Sequence, residues 1–305
     1  MTAASWTGRV DGTTPEHLRW HQAVTEYVPG GDTGACAFLG FASDAGIRRN
    51  KGRPGAAQGP GALRRALSPM ALRTPLRAVD AGTVTVFGDD LEGGQHLLGT
   101  KVSGLLDDGA FPVVLGGGHE VAYGTYLGVA GSTRRTTGTR VGILNLDAHF
   151  DLRPDPVPSS GTPFRQILDA DPDVRYAVLG ISQPSNTTVL FDTADRFGVS
   201  YLLDDDCEPT RAGDFVAGFL AGIDLLHLTI DLDVLPAAVA PGVSAPAAFG
   251  VPLSVVQAVC DQVTGSGKLA VVDVAELNPA LDPDQRTART AARLIHRIVT
   301  GHVRG

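Results

Sequence analysis

The stretch VGILNLDAHFD, residues 141–151, runs from an apolar segment into three side chains suited to metal ligation. Residues 141–146 are near-continuously hydrophobic rather than alternating, which is the pattern of a strand covered on both faces. Such strands belong to parallel sheets, and an open parallel sheet binds its ligands outside the carboxyl ends of its strands. Asp147, His149 and Asp151 follow at that end. On an extended backbone their i, i+2, i+4 spacing puts all three on one face. Acids beside a buried strand are costly unless something neutralises them.

Seven further apolar runs extend the reading in both directions, at residues 35–41, 83–87, 112–115, 175–179, 199–203, 225–230 and 269–274. Between them lie candidate helices at 61–66, 93–108, 121–129, 187–197, 212–220 and 253–263, and a closing helix at 286–300. This alternation predicts βαβ units in a three-layer α/β sandwich. In the closing helix Ala291, Ala292, Leu294, Ile295, Ile298 and Val299 fall at helical spacing, so they read as core. Loops rich in Gly and Pro cover 43–60, 153–163 and 236–252, and loops this long inside a compact domain are usually functional or disordered. Composition does not shift along the chain, so one catalytic domain over 1–305 is expected.

Two other runs end as the first does. His119 lies in GGGHE after 112–115, and Asp231 and Asp233 lie in TIDLDV at the end of 225–230. Three segments can thus deliver four Asp and two His to one crevice. Each piece alone is ambiguous: DLD also serves as a strand-end Asx cap. The three consecutive glycines before His119 do not meet the GxGxxG spacing of a dinucleotide loop. Carboxylates with imidazole and no thiolate favour Mn2+, with Fe2+, Co2+ and Zn2+ as neighbours in preference. Two divalent ions sharing Asp oxygens would lie roughly 3.5–4 Å apart and lower the pKa of a water between them to about 7.

The formal net charge of −8 disfavours nucleic acid or an anionic membrane surface as partner. Cys36, Cys207 and Cys260 are far apart and form no CxxC pair, which suits a reducing compartment. The start MTAASWTGRVDGTTPEHLRW lacks the pattern of a signal peptide, and no apolar stretch approaches a membrane span. The expectation is a cytoplasmic enzyme acting on a small molecule.

Together, GGGHE, NLDAHFD, TIDLDV and VAELNP, which contains Glu276, resemble the ureohydrolase family, the manganese enzymes that include arginase, agmatinase and formimidoylglutamase. NKGRPGAAQGPGALRRAL at 50–67 is a less specific match, and the resemblance covers most of the chain from Gly40 to the last helix. Within the family, SSGTPFRQIL, QPSNTTVLFD and DLDVLPAAVAPGVSAPA look most like the formimidoylglutamase branch. Arginases carry a proton-shuttling histidine that would fall near Phe164, and this chain lacks it.

That resemblance implies an arginase-like fold with an eight-stranded, mostly parallel sheet, two Mn2+ per subunit and a homo-oligomer. It implies that His119, Asp147, Asp151 and Asp231 hold one metal, and that Asp147, His149, Asp231 and Asp233 hold the other. Asp151 would pass a proton to the leaving nitrogen, and Glu276 would pair with a cationic amidine-like group. The implied reaction is hydrolysis of N-formimidoyl-L-glutamate to L-glutamate and formamide in histidine degradation. The nearest alternative is a guanidinobutyrase- or agmatinase-type ureohydrolase releasing urea. A metal-dependent deacetylase would need a tyrosine such as Tyr123 or Tyr126 at the site, and a non-catalytic binding protein would not need the full ligand set. Loop position nominates Arg153, Arg165, Ser160, Thr162 and Asn186 as contacts for the glutamate carboxylates, with Arg48, Arg49 and Arg53 weaker.

Overall fold

A computed structural model describes residues 6–303; the first five residues of the stretch read for a leader, and the last two of the chain, lie outside them. The described residues form one nine-stranded sheet. Its strands are β1 (Val24–Glu26), β2 (Cys36–Ala42), β3 (Ala78–Thr85), β4 (Phe111–Leu115), β5 (Val141–Leu146), β6 (Arg175–Ile181), β7 (Ser200–Leu203), β8 (Leu225–Asp231) and β9 (Leu269–Ala275). The order is β1-β3-β2-β4-β9-β8-β5-β6-β7, and every pairing is parallel.

The helices are α1 (Trp20–Ala23), α2 (Ala45–Arg49), α3 (Gly59–Leu67), α4 (Leu91–Asp107), α5 (Val121–Gly131), α6 (Pro163–Ala170), α7 (Thr188–Arg196), α8 (Pro209–Ala221), α9 (Leu253–Thr264) and α10 (Arg286–His302). Two apolar layers flank the sheet. Leu144, Leu146, Leu228 and Ile230 pack into one layer with side chains of α3, α8, α9 and α10. Val141 and Ile143 pack into the other with side chains of α4, α5 and α6. Successive residues of a strand face opposite layers, so a strand between two layers must be apolar on both. Each such side chain, fully buried, contributes roughly 1.5–3 kcal/mol.

Two expectations need correcting. The sheet has nine strands rather than eight, because three-residue β1 adds to the edge of β3. It is too short, and too exposed at two of its three positions, to register as an apolar run. The strand expected at 83–87 instead spans Ala78–Thr85. Asp80 and Gly82 interrupt its apolar pattern, and the buried Asp80 is satisfied by Arg64, whose Nε and Nη2 donate to it at 2.8 Å each. The structure adds two short helices: α2 lies within the loop expected at 43–60, and α6 begins where the loop expected at 153–163 ends, with Pro163 in its first turn.

Candidate metal centre

β4, β9, β8 and β5 are neighbours in the middle of the sheet, so their carboxyl ends open onto one crevice. The loop after β4 carries His119, and the segment after β5 carries Asp147, His149 and Asp151. β8 ends on Asp231, with Asp233 in the 3-10 turn that follows, and Glu276 comes directly after β9. The three glycines before His119 serve close approach. A Cβ on Gly117 would lie 2.2 Å from the Ser43 carbonyl, and one on Gly116 would lie 2.8 Å from that of Val274.

The six expected ligands converge. His119 Nδ1 lies 2.9 Å from Asp151 Oδ2, 3.0 Å from Asp147 Oδ2 and 3.2 Å from Asp231 Oδ2. His149 Nδ1 lies 3.1 Å from Asp233 Oδ2 and 3.5 Å from Asp147 Oδ1. The two oxygens of Asp147 thus face the two histidines. Two triads, His119–Asp147–Asp151 and Asp147–His149–Asp233, each bring their ligand atoms within 4.8 Å of one another, and Asp147 is common to both. The Asp231 contact is to His119, while its Oδ1 accepts the backbone N–H of Asp233 at 2.8 Å.

The route to convergence differs from a simple extended strand end. Asp151 has φ +49°, so the chain has turned before it reaches this side chain. Glu276 is also left-handed, at φ +69°. Such backbone costs on the order of 1–3 kcal/mol per residue and collects at functional sites. Asn186 holds the turned segment: its Nδ2 donates to the carbonyls of Ala148 and Ser182 at 2.9 Å each, and its Oδ1 accepts from Phe150 N at 3.1 Å.

Electrostatics mark the cluster as one that wants cations. Burial, reinforced by Asp147, pushes Asp151 up to about 6. Burial, reinforced by Asp233 and Asp147, pushes Asp231 up to about 7. Burial alone would lower the His119 imidazole, but Asp147, Asp151 and Asp231 hold it well above its ordinary value. Burial, with Asp231, Glu120 and Asp233 near by, raises Glu276 far above the carboxylate range. The His119 Nδ1 atom is buried and has no hydrogen-bond partner, although three carboxylates surround it. A ring nitrogen facing three acceptor oxygens is satisfied by a cation between them, or by a proton in its place. The donor set of carboxylate and imidazole suits Mn2+ or its neighbours, so these residues fit a divalent pair.

A cavity of about 380 Å³ opens over the cluster, lined by His119, His149, Asp151, Asp231, Asp233 and Glu276. Glu276 Oε1 also accepts the backbone N–H of His119 at 3.0 Å. Of the expected substrate contacts, Arg153, Ser160 and Asn186 line this cavity, as does the weaker candidate Arg53. Ser160 Oγ accepts from Asn50 Nδ2 at 3.1 Å and can still donate. Asn186 has already committed its amide to the backbone, which gives it a scaffolding role instead.

Arg165 and Thr162 are corrections. Arg165 sits on α6, where its Nε donates to Asp169 at 2.6 Å and its guanidinium lies 5.1 Å from the Phe197 ring centre, outside the cavity lining. Arg165→Ala should therefore leave kcat and KM within about twofold, the usual range for a surface change; a raised KM in steady-state assays would restore it to the site. The Thr162 hydroxyl is buried between Ser159 and Gln166. Arg48 and Arg49 bind Gly88, Asp89, Glu92 and Pro158 instead. Neither Tyr123 nor Tyr126 lines the cavity, and Tyr126 donates to Asp171 at 2.6 Å. Phe164 is fully buried on α6, its ring edge-on to His119 at 5.3 Å.

Lys51 was missed. It lines the cavity beside Arg53, at φ +59°. Its neighbour Arg53 ties this loop to the 236–252 loop through the carbonyls of Ser244 and Val243, at 2.8 and 2.7 Å. The signal was present in the cation-rich 48–53 segment, but choosing among those cations required knowing which way α2 turns.

The Arginase family model matches residues 34–301. Formimidoylglutamase of Nocardia farcinica (strain IFM 10152) is 74% identical over 302 residues, covering 99% of this chain and 97% of its own. Formimidoylglutamase of Rhodococcus opacus (strain B4) is 66% identical, covering 98% and 95%. Among solved structures, Trypanosoma cruzi formiminoglutamase with Mn2+ superposes with TM-score 0.80 at 26% identity, covering 88% of this chain and 94% of that one. Formimidoylglutamase of Bacillus subtilis subsp. subtilis str. 168 shares the fold, with TM-score 0.84 at 24% identity and 97% and 94% coverage.

Proposed function

Because the chain belongs to the arginase family, we propose that it hydrolyses N-formimidoyl-L-glutamate to L-glutamate and formamide, as a formimidoylglutamase. The observation that carries this reading is the close cluster of four aspartates and two histidines at a cavity also lined by Lys51, Arg53 and Arg153. The curated relatives are named for the same activity. The proposal includes two Mn2+ per subunit, a single catalytic domain, a place in histidine degradation, and a cytoplasmic homo-oligomer. Among the described residues no helix is long and apolar enough to cross a membrane.

His119, Asp147, Asp151 and Asp231 would hold one ion, and Asp147, His149, Asp231 and Asp233 the other. When bound, the pair supplies an activated water and positive charge against the developing transition state. The chain's own residues then orient and protonate. Glu276 faces the formimidoyl group and can accept its planar N–H donors. Asp151, which lines the cavity 2.9 Å from His119 Nδ1, would pass a proton through its carboxylate to the departing glutamate nitrogen. By the family resemblance, an arginase's proton-shuttling histidine would fall near Phe164, so proton delivery is assigned to Asp151.

The two carboxylates of the glutamate part require cations, and Lys51 and Arg153 both line the cavity. A hydrogen bond to a charged group contributes about 1.5–3 kcal/mol, and exposure places these two at the low end. Arg153→Ala and Lys51→Ala should each raise KM about tenfold with little change in kcat and with metal content intact. Unchanged KM in both would remove the carboxylate recognition. The function itself is tested by a panel of N-formimidoyl-L-glutamate, agmatine, 4-guanidinobutyrate and arginine, with formamide and urea quantified. Formamide from the first substrate alone is expected; urea from a guanidine, with no formamide, would replace this reading with the ureohydrolase alternative.

A further inference from the structure

Behind His119 runs a file of buried polar side chains that the proposed chemistry leaves unused. His227, Thr229 and Asp231 alternate along β8 and so share one face. Asp273 stands beside Thr229 on β9, in the parallel register that pairs these two residues. His119 Nε2 lies 3.0 Å from Thr229 Oγ, which lies 2.6 Å from Asp273 Oδ1; Asp273 Oδ2 in turn lies 2.5 Å from His227 Nε2. His227, Thr229 and Asp273 are all 0% exposed. Polar groups this deep cost on the order of 1–3 kcal/mol each if left unpaired, so the pairing needs a reason beyond packing.

The directions of these bonds are fixed in sequence. A carboxylate only accepts, so Asp273 takes one hydrogen from Thr229 and one from His227 Nε2. Thr229 has a single hydrogen and spends it on Asp273. Its oxygen can then only accept, which requires the hydrogen of neutral His119 to sit on Nε2. The lone pair is left on Nδ1, the atom that faces Asp147, Asp151 and Asp231.

We propose that Asp273, oriented by His227, acts through Thr229 as a positioning residue that holds His119 in the Nε2–H form and so sets the affinity for the cation on the His119 side of the cluster. This rests on the metal-site reading above. Outer-shell partners of this kind typically change metal affinity about 10- to 100-fold when removed.

The test is Mn2+ titration calorimetry on full-length protein stripped with chelator, with near-UV circular dichroism to confirm folding. Thr229→Val should weaken one of two Mn2+ sites about 10- to 100-fold and leave the other unchanged. Thr229→Ser, which keeps the hydroxyl, should restore binding. Asp273→Ala should weaken the same site, and its effect should vanish when combined with Thr229→Val. The Val and Ser pair decides the matter even where Asp273→Ala fails to fold. The proposal is overturned if Thr229→Val binds both ions as the unsubstituted protein does, if Thr229→Ser fails to rescue, or if Asp273→Ala weakens binding equally in both backgrounds. An unsubstituted protein that binds no Mn2+ would overturn the metal reading and this proposal together.

Discussion

Asp147→Ala should abolish turnover and strip Mn2+ from both halves of the cluster at once. Asp147 alone belongs to both triads, with Oδ2 toward His119 and Oδ1 toward His149. Lewis-acid stabilisation is worth several kcal/mol, and each 1.4 kcal/mol is about tenfold in rate. A loss of kcat on the order of 10^3-fold or more follows. The fold should survive, because the removed group is one of four carboxylates crowded into a buried site. Metal analysis and thermal melting of the chelated proteins separate the two effects. Asp147→Ala protein that keeps two tightly bound Mn2+ would contradict the bridging role.

Chelation should abolish activity, and added Mn2+ should restore it with an affinity that falls as pH drops. The sign follows from the aspartates. Burial raises Asp231 to about 7 and Asp151 to about 6, so both gain protons as pH falls through that window. Ligands must be deprotonated to bind metal, so uptake releases those protons. The apparent Mn2+ dissociation constant should rise by about tenfold per pH unit for each proton displaced. Titrations at pH 7.5, 6.5 and 5.5 give the slope. An affinity that is flat across this range would mean that the cluster gives up no proton when the metal binds.

The sequence made the architecture readable where both faces of a strand are buried. β4, β5, β8 and β9, the four strands that carry the cluster, lack a solvent face and so appear as largely apolar runs with few polar interruptions. Legibility failed at the edge. β1 is mostly exposed, and β3 holds a buried aspartate whose partner, Arg64, lies on a different element. The ligand residues were legible because acids at the end of buried strands have few explanations. Their geometry was not: Asp151 reaches the cluster through a left-handed turn that no alternation pattern encodes.

Substrate contacts were the least legible part. Arg153 and Arg165 look alike as loop arginines, but α6 carries Arg165 away to Asp169. Asn186 reads in sequence as a donor for substrate, but its amide serves the backbone at Ala148, Phe150 and Ser182. Thr229 and Asp273 did leave a trace, as polar residues inside runs that are otherwise apolar. Reading it required the β8–β9 register, which brings them side by side.

The most direct measurement is anomalous diffraction at the manganese edge from crystals grown with Mn2+. Two peaks are expected on either side of Asp147, one within bonding distance of His119 Nδ1 and one within bonding distance of His149 Nδ1. A map with no peak at either imidazole, from protein that turns over N-formimidoyl-L-glutamate, would contradict the metal centre.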